Sequence, residues 1–381
     1  MAFFFLLSCG SSNMTKQEEL LSENAVVDEL SLMYNEEKAE AHQQAVTVSN
    51  DGKLIAFAYD NGIVKIVDLL NGREISRIKN QLSGVFDIRF NKDNSNLIVA
   101  GGNGKAAILN VNTNQVDHIF ELPDNIIYMD LSEVEDYVAF VLKNEKLLVF
   151  DTQTHSEILT KQLNTDWKAS PVVFDPTGDK IAIYETNDSK IEIIDLQSGS
   201  VVEGIDAEGE LITGKQASDI HGHVESQFFM DIGDLESTIL LYDSFSYSKD
   251  GKSLLITAVA PPNYNFIVTY NFKTKEFKTH FENRQKDRFI SSFKNENSIL
   301  TVTDSESFAV IDADIGEVIY VTKFTSDRKG GAHVKRIYPL YDGKSYLINY
   351  TDNNINEIYN AETNKITAYL YSDANDDFAV V

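Results

Sequence analysis

The sequence is poor in several residue types, and each shortage excludes a class of protein. Its 381 residues include one cysteine, which excludes a disulfide framework and a zinc site built from thiolates of this chain. Only 33 Lys and Arg residues stand against 59 Asp and Glu residues, and the net charge of −26 leaves no basic surface for phosphates. Six prolines and 20 glycines are too few for a collagen-like or linker-dominated chain. We therefore expect no nucleic-acid partner and no cofactor, and the 43% hydrophobic content indicates a chain that buries a core.

The N-terminus has the features of a leader. An apolar run, Ala2 to Leu7, is followed by Ser8 and Cys9 and then by polar residues. Leu6-Leu7-Ser8-Cys9 resembles the end of a bacterial lipoprotein signal peptide, in which a small residue precedes a cysteine that is lipidated after cleavage. No Lys or Arg precedes the run, which departs from that pattern and leaves open a truncated leader or an accidental likeness. The resemblance implies a signal peptide at 1–8, a lipid on Cys9 and attachment to a membrane of the bacterial cell envelope; a cytoplasmic protein with an apolar tail is the alternative.

A repeat runs through the rest of the chain. An apolar segment ending in Asp or Asn recurs at positions 68, 110, 151, 195, 271, 312 and 360. Six of these seven positions are separated from the next by 42, 41, 44, 76, 41 and 48 residues, so one interval is nearly twice the others. A period in the low forties with alternating apolar residues indicates seven β-rich units, and the long interval indicates one insertion.

Turn residues recur with the same period. Four residues after the Asp or Asn lies Gly72, Asn114, Gly199, Gly316 or Asn364 in five units, and His155 or Lys275 in the other two. Gly and Asn tolerate a positive φ, so each unit is predicted to have a tight hairpin there. With a second turn such as Asn50-Asp51-Gly52-Lys53, each unit reads as four antiparallel strands.

These motifs carry a resemblance to a known fold. Ser49-Asn50-Asp51-Gly52-Lys53-Leu54 with Val64-Lys65-Ile66-Val67-Asp68, and the later Ser248 to Leu254, are similar to the repeat of the WD40 and YVTN-type β-propeller superfamily. The Trp of that repeat is replaced by other apolar residues throughout. The resemblance implies an all-β fold, a seven-bladed β-propeller of four-stranded antiparallel blades. Together with the leader at 1–8, it implies a tether and possible closing strand at 9–43, the propeller at 44–371 with an insertion at about 208–237, and a tail at 372–381.

The insertion is the candidate binding loop, because long loops on a rigid scaffold often carry specificity. Its residues of interest are Lys215, Asp219, His221, His223, Phe228 and Phe229. Asp219 with His221 and His223 could hold a metal, but no third histidine lies nearby, and we predict solvated loop residues and no metal site.

No motif of a catalytic nucleophile or phosphate-binding loop occurs, so we predict no catalytic residues. The primary hypothesis is a monomeric, non-catalytic, lipid-anchored scaffold that presents its top-face loops and central channel to a partner protein or an envelope polymer. One alternative is a propeller-type enzyme, similar to a lactonase or a quinone-dependent dehydrogenase, with a channel-mouth site. Its candidate residues are Asp87, Arg89, Asp130, Lys335 and Arg336. The other alternative is the N-terminal sensor part of a larger protein.

Overall fold

The computed structural model consists of β-strands joined by turns, and the part of the chain that it describes contains no helix that could cross a membrane. It describes residues 41–80, 82, 84–134, 136–164, 171–185, 190–206, 241–260, 264–283, 289–295, 298–303, 307–312, 318–323, 334–342, 344–350, 355–360, 363, 365–372 and 378–380.

Among these residues the strands form seven antiparallel sheets, numbered here in chain order. Sheet 1 contains β1 Gln43–Val48, β2 Leu54–Tyr59, β3 Ile63–Asp68 and β4 Arg73–Lys79, and sheet 2 contains β5 Val85–Phe90, β6 Asn96–Gly101, β7 Lys105–Asn110 and β8 Gln115–Glu121. Sheet 3 contains β9 Ile126–Leu131, β10 Tyr137–Leu142, β11 Lys146–Asp151 and β12 Glu157–Gln162. Sheet 4 contains β13 Val172–Phe174, β14 Lys180–Glu185, β15 Lys190–Asp195 and β16 Val201–Asp206. Sheet 5 contains β17 Leu241–Tyr247, β18 Ser253–Ala260, β19 Tyr264–Asn271 and β20 Glu276–Asn283. Sheet 6 contains β21 Phe289–Asn295, β22 Ser298–Thr303, β23 Ser307–Asp312 and β24 Val318–Lys323. Sheet 7 contains β25 Val334–Pro339, β26 Ser345–Tyr350, β27 Ile355–Asn360, β28 Lys365–Ser372 and β29 Phe378–Val380.

The architecture is a β-propeller. Strands that follow one another in the chain pair within each sheet. The first strand of every sheet, here called the inner strand, contacts the inner strand of the next sheet, and β25 contacts β1. Sheets 1 to 6 are four-stranded antiparallel blades, as predicted. The prediction of four strands is wrong for sheet 7, because β29 pairs with the outer edge of β28 through Leu370 to Ser372. The possible closing strand in residues 9–43 falls almost wholly outside the described residues.

Burial follows strand position. The second and third strands read as nearly continuous apolar runs, such as LIAFAY in β2 and YVAFVL in β10, and five consecutive residues of each are buried. Such runs are typical of strands covered on both faces, here by the neighbouring sheets. The fourth, outer strands carry polar residues and are largely exposed, as in β12. The core is therefore a series of layers between sheets, one example being the cluster of Ala56, Ile66, Ile88 and Leu97 between sheets 1 and 2.

The predicted hairpin turns are confirmed where the structure describes them. Gly72, Asn114, His155, Gly199 and Lys275 all have φ between 58° and 67°. The prediction rested on Gly and Asn, yet His155 and Lys275 adopt the same left-handed conformation, which is unusual for such side chains. The left-handed turn is therefore retained in these units, although their residues do not favour it.

Every sheet also has a β-bulge where its outer strand pairs with the third strand. The extra residues are Ile75, Asp117, Ile158, Val202, His280, Ile319 and Thr367. A bulge bends and twists a strand, and bulges are often found at sheet edges. The alternation of apolar residues did not reveal them, because one inserted residue simply interrupts the period.

Candidate functional site

Four of the five inner-strand charges predicted from the sequence meet in one cluster. Asp87 and Arg89 lie on β5, Asp130 on β9 and Arg336 on β25. Two residues apart on a strand, Asp87 and Arg89 project to the same face. The fifth residue, Lys335, lies on β25, but its side chain is outside the described part of the chain.

The centre of the cluster is the carboxylate of Asp87. The Nη2 of Arg336 donates to its Oδ2 at 2.7 Å, and the Nε of Arg89 lies 3.6 Å from the same oxygen. Its Oδ1 accepts a hydrogen bond from the backbone N–H of Ile88 at 2.9 Å. Arg336 belongs to sheet 7 and Asp87 to sheet 2, and sheet 1 lies between these two sheets in the ring. The two side chains therefore meet in front of the inner strand of sheet 1, on the side that faces the ring axis. The ion pair therefore lies in the central channel, half-way along the inner strands.

The cluster continues into sheets 3 and 4. The Nη2 of Arg89 lies 4.0 Å from the Oδ1 of Asp130, and the Oδ2 of Asp130 accepts a hydrogen bond of 2.9 Å from the backbone N–H of Phe174. Tyr128 lies two residues before Asp130 on β9. Its pKa is affected by the charges of Arg336, Arg89, Asp130 and Asp87. We call Asp87, Arg89, Tyr128, Asp130 and Arg336 the channel cluster.

A second set of β-bulges positions these side chains. In five inner strands one extra residue, Gln44, Phe86, Ile127, Asp243 or Lys335, interrupts the pairing with the second strand. The residues that follow the bulges are Ala45, Asp87, Tyr128, Ser244 and Arg336. Bulges re-aim side chains, and here they bring equivalent positions of several sheets to one level. The equivalent residue of sheet 1 is the small, buried Ala45, which belongs to the apolar layer between sheets 1 and 2.

Burial and neighbouring charges shift the pKa values of several groups in the channel cluster. Burial raises the pKa of Asp130 to about 6, an effect that Arg89 and the N–H of Phe174 only partly offset. Burial also raises the pKa of Tyr128. For Arg336, burial would lower the pKa, but the charge of Asp87 outweighs it and raises the pKa above its ordinary value. Two permanent cations thus face Asp87 and a second carboxyl group that takes up a proton near pH 6.

The cluster is deep but not sealed. The side chains of Arg336 and Arg89 keep 22% and 28% of their surface exposed, against 7% for Asp87. Each guanidinium carries five N–H donors. Within the described residues, the buried Nη1 of Arg336 and the buried Nε of Arg89 have no hydrogen-bond partner. The cluster therefore holds more donors than its own acceptors use.

The outer strands make a repeated contact that the sequence did not suggest. In sheets 1 to 4, the residue just after the outer bulge contacts the left-handed turn residue of the next sheet. The contact is a hydrogen bond from Ser76 to Asn114, an ion pair of 2.6 Å between Glu203 and Lys275, and apolar packing of Leu159 on Gly199. His118 and His155 make it by stacking, with ring centroids 3.7 Å apart. Burial, and secondarily the charge of His155, lowers the pKa of His118.

The other predicted site residues lie outside the described part of the chain. These are Cys9 and the candidate binding loop of Lys215, Asp219, His221, His223, Phe228 and Phe229. In the sequence, residues 207–240 connect the outer strand β16 to the next inner strand, β17. Among the described residues, no three His, Cys, Asp or Glu side chains gather as metal ligands. Tyr128 was missed from the sequence, although it occupies the position in its repeat that Asp87 occupies in the preceding one.

Comparisons with known proteins identify the fold. No protein-family model matches the chain, and no curated protein matches it. Among solved structures it is similar to the β-propeller domain of Cps50 (Swd1) of Myceliophteria thermophila. The TM-score is 0.60 at 11% sequence identity, over 82% of this chain and 94% of that one. At this identity the likeness shows a WD40-like β-propeller fold, and it shows nothing about the site because one fold hosts many functions.

Proposed function

We propose that this protein is a non-catalytic binding platform whose loops engage a partner protein or an envelope polymer. The observation that carries the proposal is the unequal length of the connections on a regular scaffold. Only residues 80–84 join β4 to β5, whereas residues 207–240 join β16 to β17. A rigid ring with one long connection is the usual arrangement of a binding scaffold with a specificity loop.

The scaffold is proposed to be a monomeric ring of seven blades in which the five-stranded sheet 7 is the last. The contacts of β25 with β21 on one side and with β1 on the other support this closure. Light scattering of the purified chain should give a mass near 42.8 kDa. A mass of twice that value would show that the ring works as a dimer.

We further propose that the ring is tethered by a lipid on Cys9 in the bacterial cell envelope. The support is the Leu6-Leu7-Ser8-Cys9 motif and its position before the propeller. Because Cys9 is the only cysteine, metabolic labelling with a radioactive fatty acid should label the wild type and leave Cys9→Ser unlabelled. Equal labelling of the two proteins, or none of the wild type, would overturn the tether.

Chemical cross-linking in the native membrane tests the platform itself. We expect a defined partner to be recovered with the wild type and lost when His221, His223, Phe228 and Phe229 are replaced together by Ser. A matched control replaces two exposed apolar residues of the rim, Leu70 and Val202, by Ser and should keep the partner. Failure to recover any partner above background, or equal loss in both variants, would contradict the proposal.

Catalysis is the second candidate, and the meeting of four predicted charges in the channel favours it. Asp130, with its pKa raised to about 6, is the group with acid–base capacity near neutral pH. A lactone-hydrolysis screen separates the two functions. Turnover that is lost in Asp130→Asn would support an enzyme, whereas a platform gives no turnover in either protein.

A further inference from the structure

We propose that the central channel binds a small carboxylate ion between the guanidinium groups of Arg336 and Arg89. This site is distinct from the loops of the proposed platform and does not depend on them. It rests on the geometry of the channel cluster, in which two arginines from sheets 2 and 7 converge on a single carboxylate oxygen of Asp87.

The balance of donors and acceptors favours an anion. Asp87 uses one oxygen for the N–H of Ile88 and the other for Arg336, and Asp130 uses one oxygen for the N–H of Phe174. The two guanidinium groups present more N–H donors than these oxygens accept, and each has a buried N–H-bearing nitrogen without a partner in the described structure. A carboxylate presents two oxygens that match the fork of a guanidinium.

Charge and depth narrow the class of ligand. When Asp130 is protonated, the cluster has two positive charges against one negative charge on Asp87, so a single negative charge balances it. Asp87, Tyr128 and Arg336 are each the third residue of a six-residue inner strand. They therefore lie roughly 7 Å from the nearer strand end, at about 3.3 Å per residue. A small carboxylate ion from solution can diffuse to this depth. The side chain of an aspartate on the surface of a partner protein is too short to reach it easily.

Asp130 makes the site dependent on pH. The charged groups that act on it are Arg89 from β5 and Glu133 from the turn after β9, and the neighbouring β13 contributes the backbone N–H of Phe174. Its carboxylate would repel an incoming anion, whereas its protonated form can donate a hydrogen bond to one. We therefore expect the dissociation constant for a carboxylate to rise about tenfold from pH 5.5 to pH 7.5.

Arginine-selective ¹⁵N labelling of the full chain provides the test, because the sequence has seven arginines and hence seven side-chain Nε signals. Arg89→Lys and Arg336→Lys assign two of them while keeping the charge, and circular dichroism confirms that each variant folds. Sodium acetate is the probe, at up to about 50 mM against a constant chloride background, because an ion this small is limited to weak affinity. The Arg89 and Arg336 signals should shift, and the signal of Arg77, held by Glu74 on the outer strand β4, should not.

Each outcome bears on the proposal. Loss of the pH dependence in Asp130→Asn, with binding retained at pH 7.5, would support it. Unshifted Arg89 and Arg336 signals at pH 5.5, or equal shifts at Arg77, would overturn the site. Equal shifts with inorganic phosphate would overturn the assignment to a carboxylate. The partner-recovery experiment has a separate readout, so either proposal can fail alone.

Discussion

The junction between sheets 7 and 1 differs from the junctions between sheets that follow one another in the chain. At this closing seam, Tyr59 and Ser372 share a buried hydrogen bond of 2.5 Å, and the hydroxyl of Tyr338 donates to the backbone oxygen of Val46 at 2.7 Å. The turn of Gly52 lies directly against the backbone of Tyr341. Consecutive junctions have more varied and less deeply buried contacts, such as the hydrogen bond from the N–H of Phe174 to Asp130 and the stack of His118 on His155.

Chain connectivity explains the difference. Consecutive sheets are held side by side by a short covalent connection, such as the one between β4 and β5, so each has a high effective concentration for the other. Their rim contacts can therefore vary from a hydrogen bond to a ring stack without loss of the ring. In the described structure no direct connection joins sheet 7 to sheet 1, and buried hydrogen bonds with close backbone packing take its place.

The largest effect should come from adding one methyl group at the seam. A Cβ on Gly52 would lie 2.2 Å from the backbone N of Tyr341, and φ at this glycine is +70°. Gly52→Ala should lower the free energy of unfolding by about 3 kcal/mol or more, because backbone on both sides must move. Urea denaturation of the purified chain measures it.

Gly251 is the matched control for this change. It occupies the same turn in sheet 5 at φ +68°, but its added Cβ would meet only Pro176 at 3.6 Å. Gly251→Ala should cost about 1 kcal/mol, the price of a left-handed alanine alone. Equal losses for the two variants would mean that the seam is no tighter than a consecutive junction.

Next in size is the ion pair that spans the seam through the channel. Asp87→Asn removes the charge that faces Arg336 and should cost about 2 kcal/mol, since a partly buried arginine loses its counter-ion. Glu74→Gln removes the same type of charge from the exposed pair with Arg77 and should cost less than about 0.5 kcal/mol. Thermal unfolding at neutral pH distinguishes them, and a loss in Glu74→Gln as large as in Asp87→Asn would remove any special role of the channel pair.

A buried hydroxyl at the seam should have a smaller effect. Tyr59→Phe leaves the fully buried Ser372 hydroxyl without its partner, at a cost of about 1–2 kcal/mol. Tyr341→Phe, at an exposed tyrosine of the same seam, should change the free energy of unfolding by less than about 0.5 kcal/mol. If Tyr59→Phe proves as silent as Tyr341→Phe, the hydrogen bond does not hold the seam.

The repeat was predictable from sequence because its period is written in turn residues such as Gly72 and Asn114, whose backbone demands are local. The candidate charges Asp87, Arg89, Asp130 and Arg336 were also recognisable on inner strands. Their meeting was not, since it depends on bulges that shift each inner strand by one residue. The rim contact of Glu203 with Lys275 arises from tertiary packing, which no local pattern encodes.

The smallest effect concerns the consecutive junction between sheets 2 and 3, where His118 stacks on His155. The native pKa of His118 is lowered, so the unfolded chain binds the proton more tightly. The contribution of His118 to stability is thus complete above its unfolded pKa of about 6.5 and decreases as the pH falls below it. The decrease should be less than about 1 kcal/mol, because the rings are only half-buried and solvent screens them.

Asp130 must be removed from this measurement because it acts in the opposite direction. Its native pKa of about 6 lies above the ordinary 3.8, so its contribution to stability is present at low pH and is lost as the pH rises towards 6. Urea titrations at several pH values in the Asp130→Asn background isolate the histidine, and His118→Phe keeps a ring for the stack without a titrating group. A slope between pH 7.5 and 5.5 that persists in the double variant would assign it to another group. If the slope of the free energy of unfolding against pH disappears in the double variant, the stack of His118 on His155 makes the stability of the chain depend on pH.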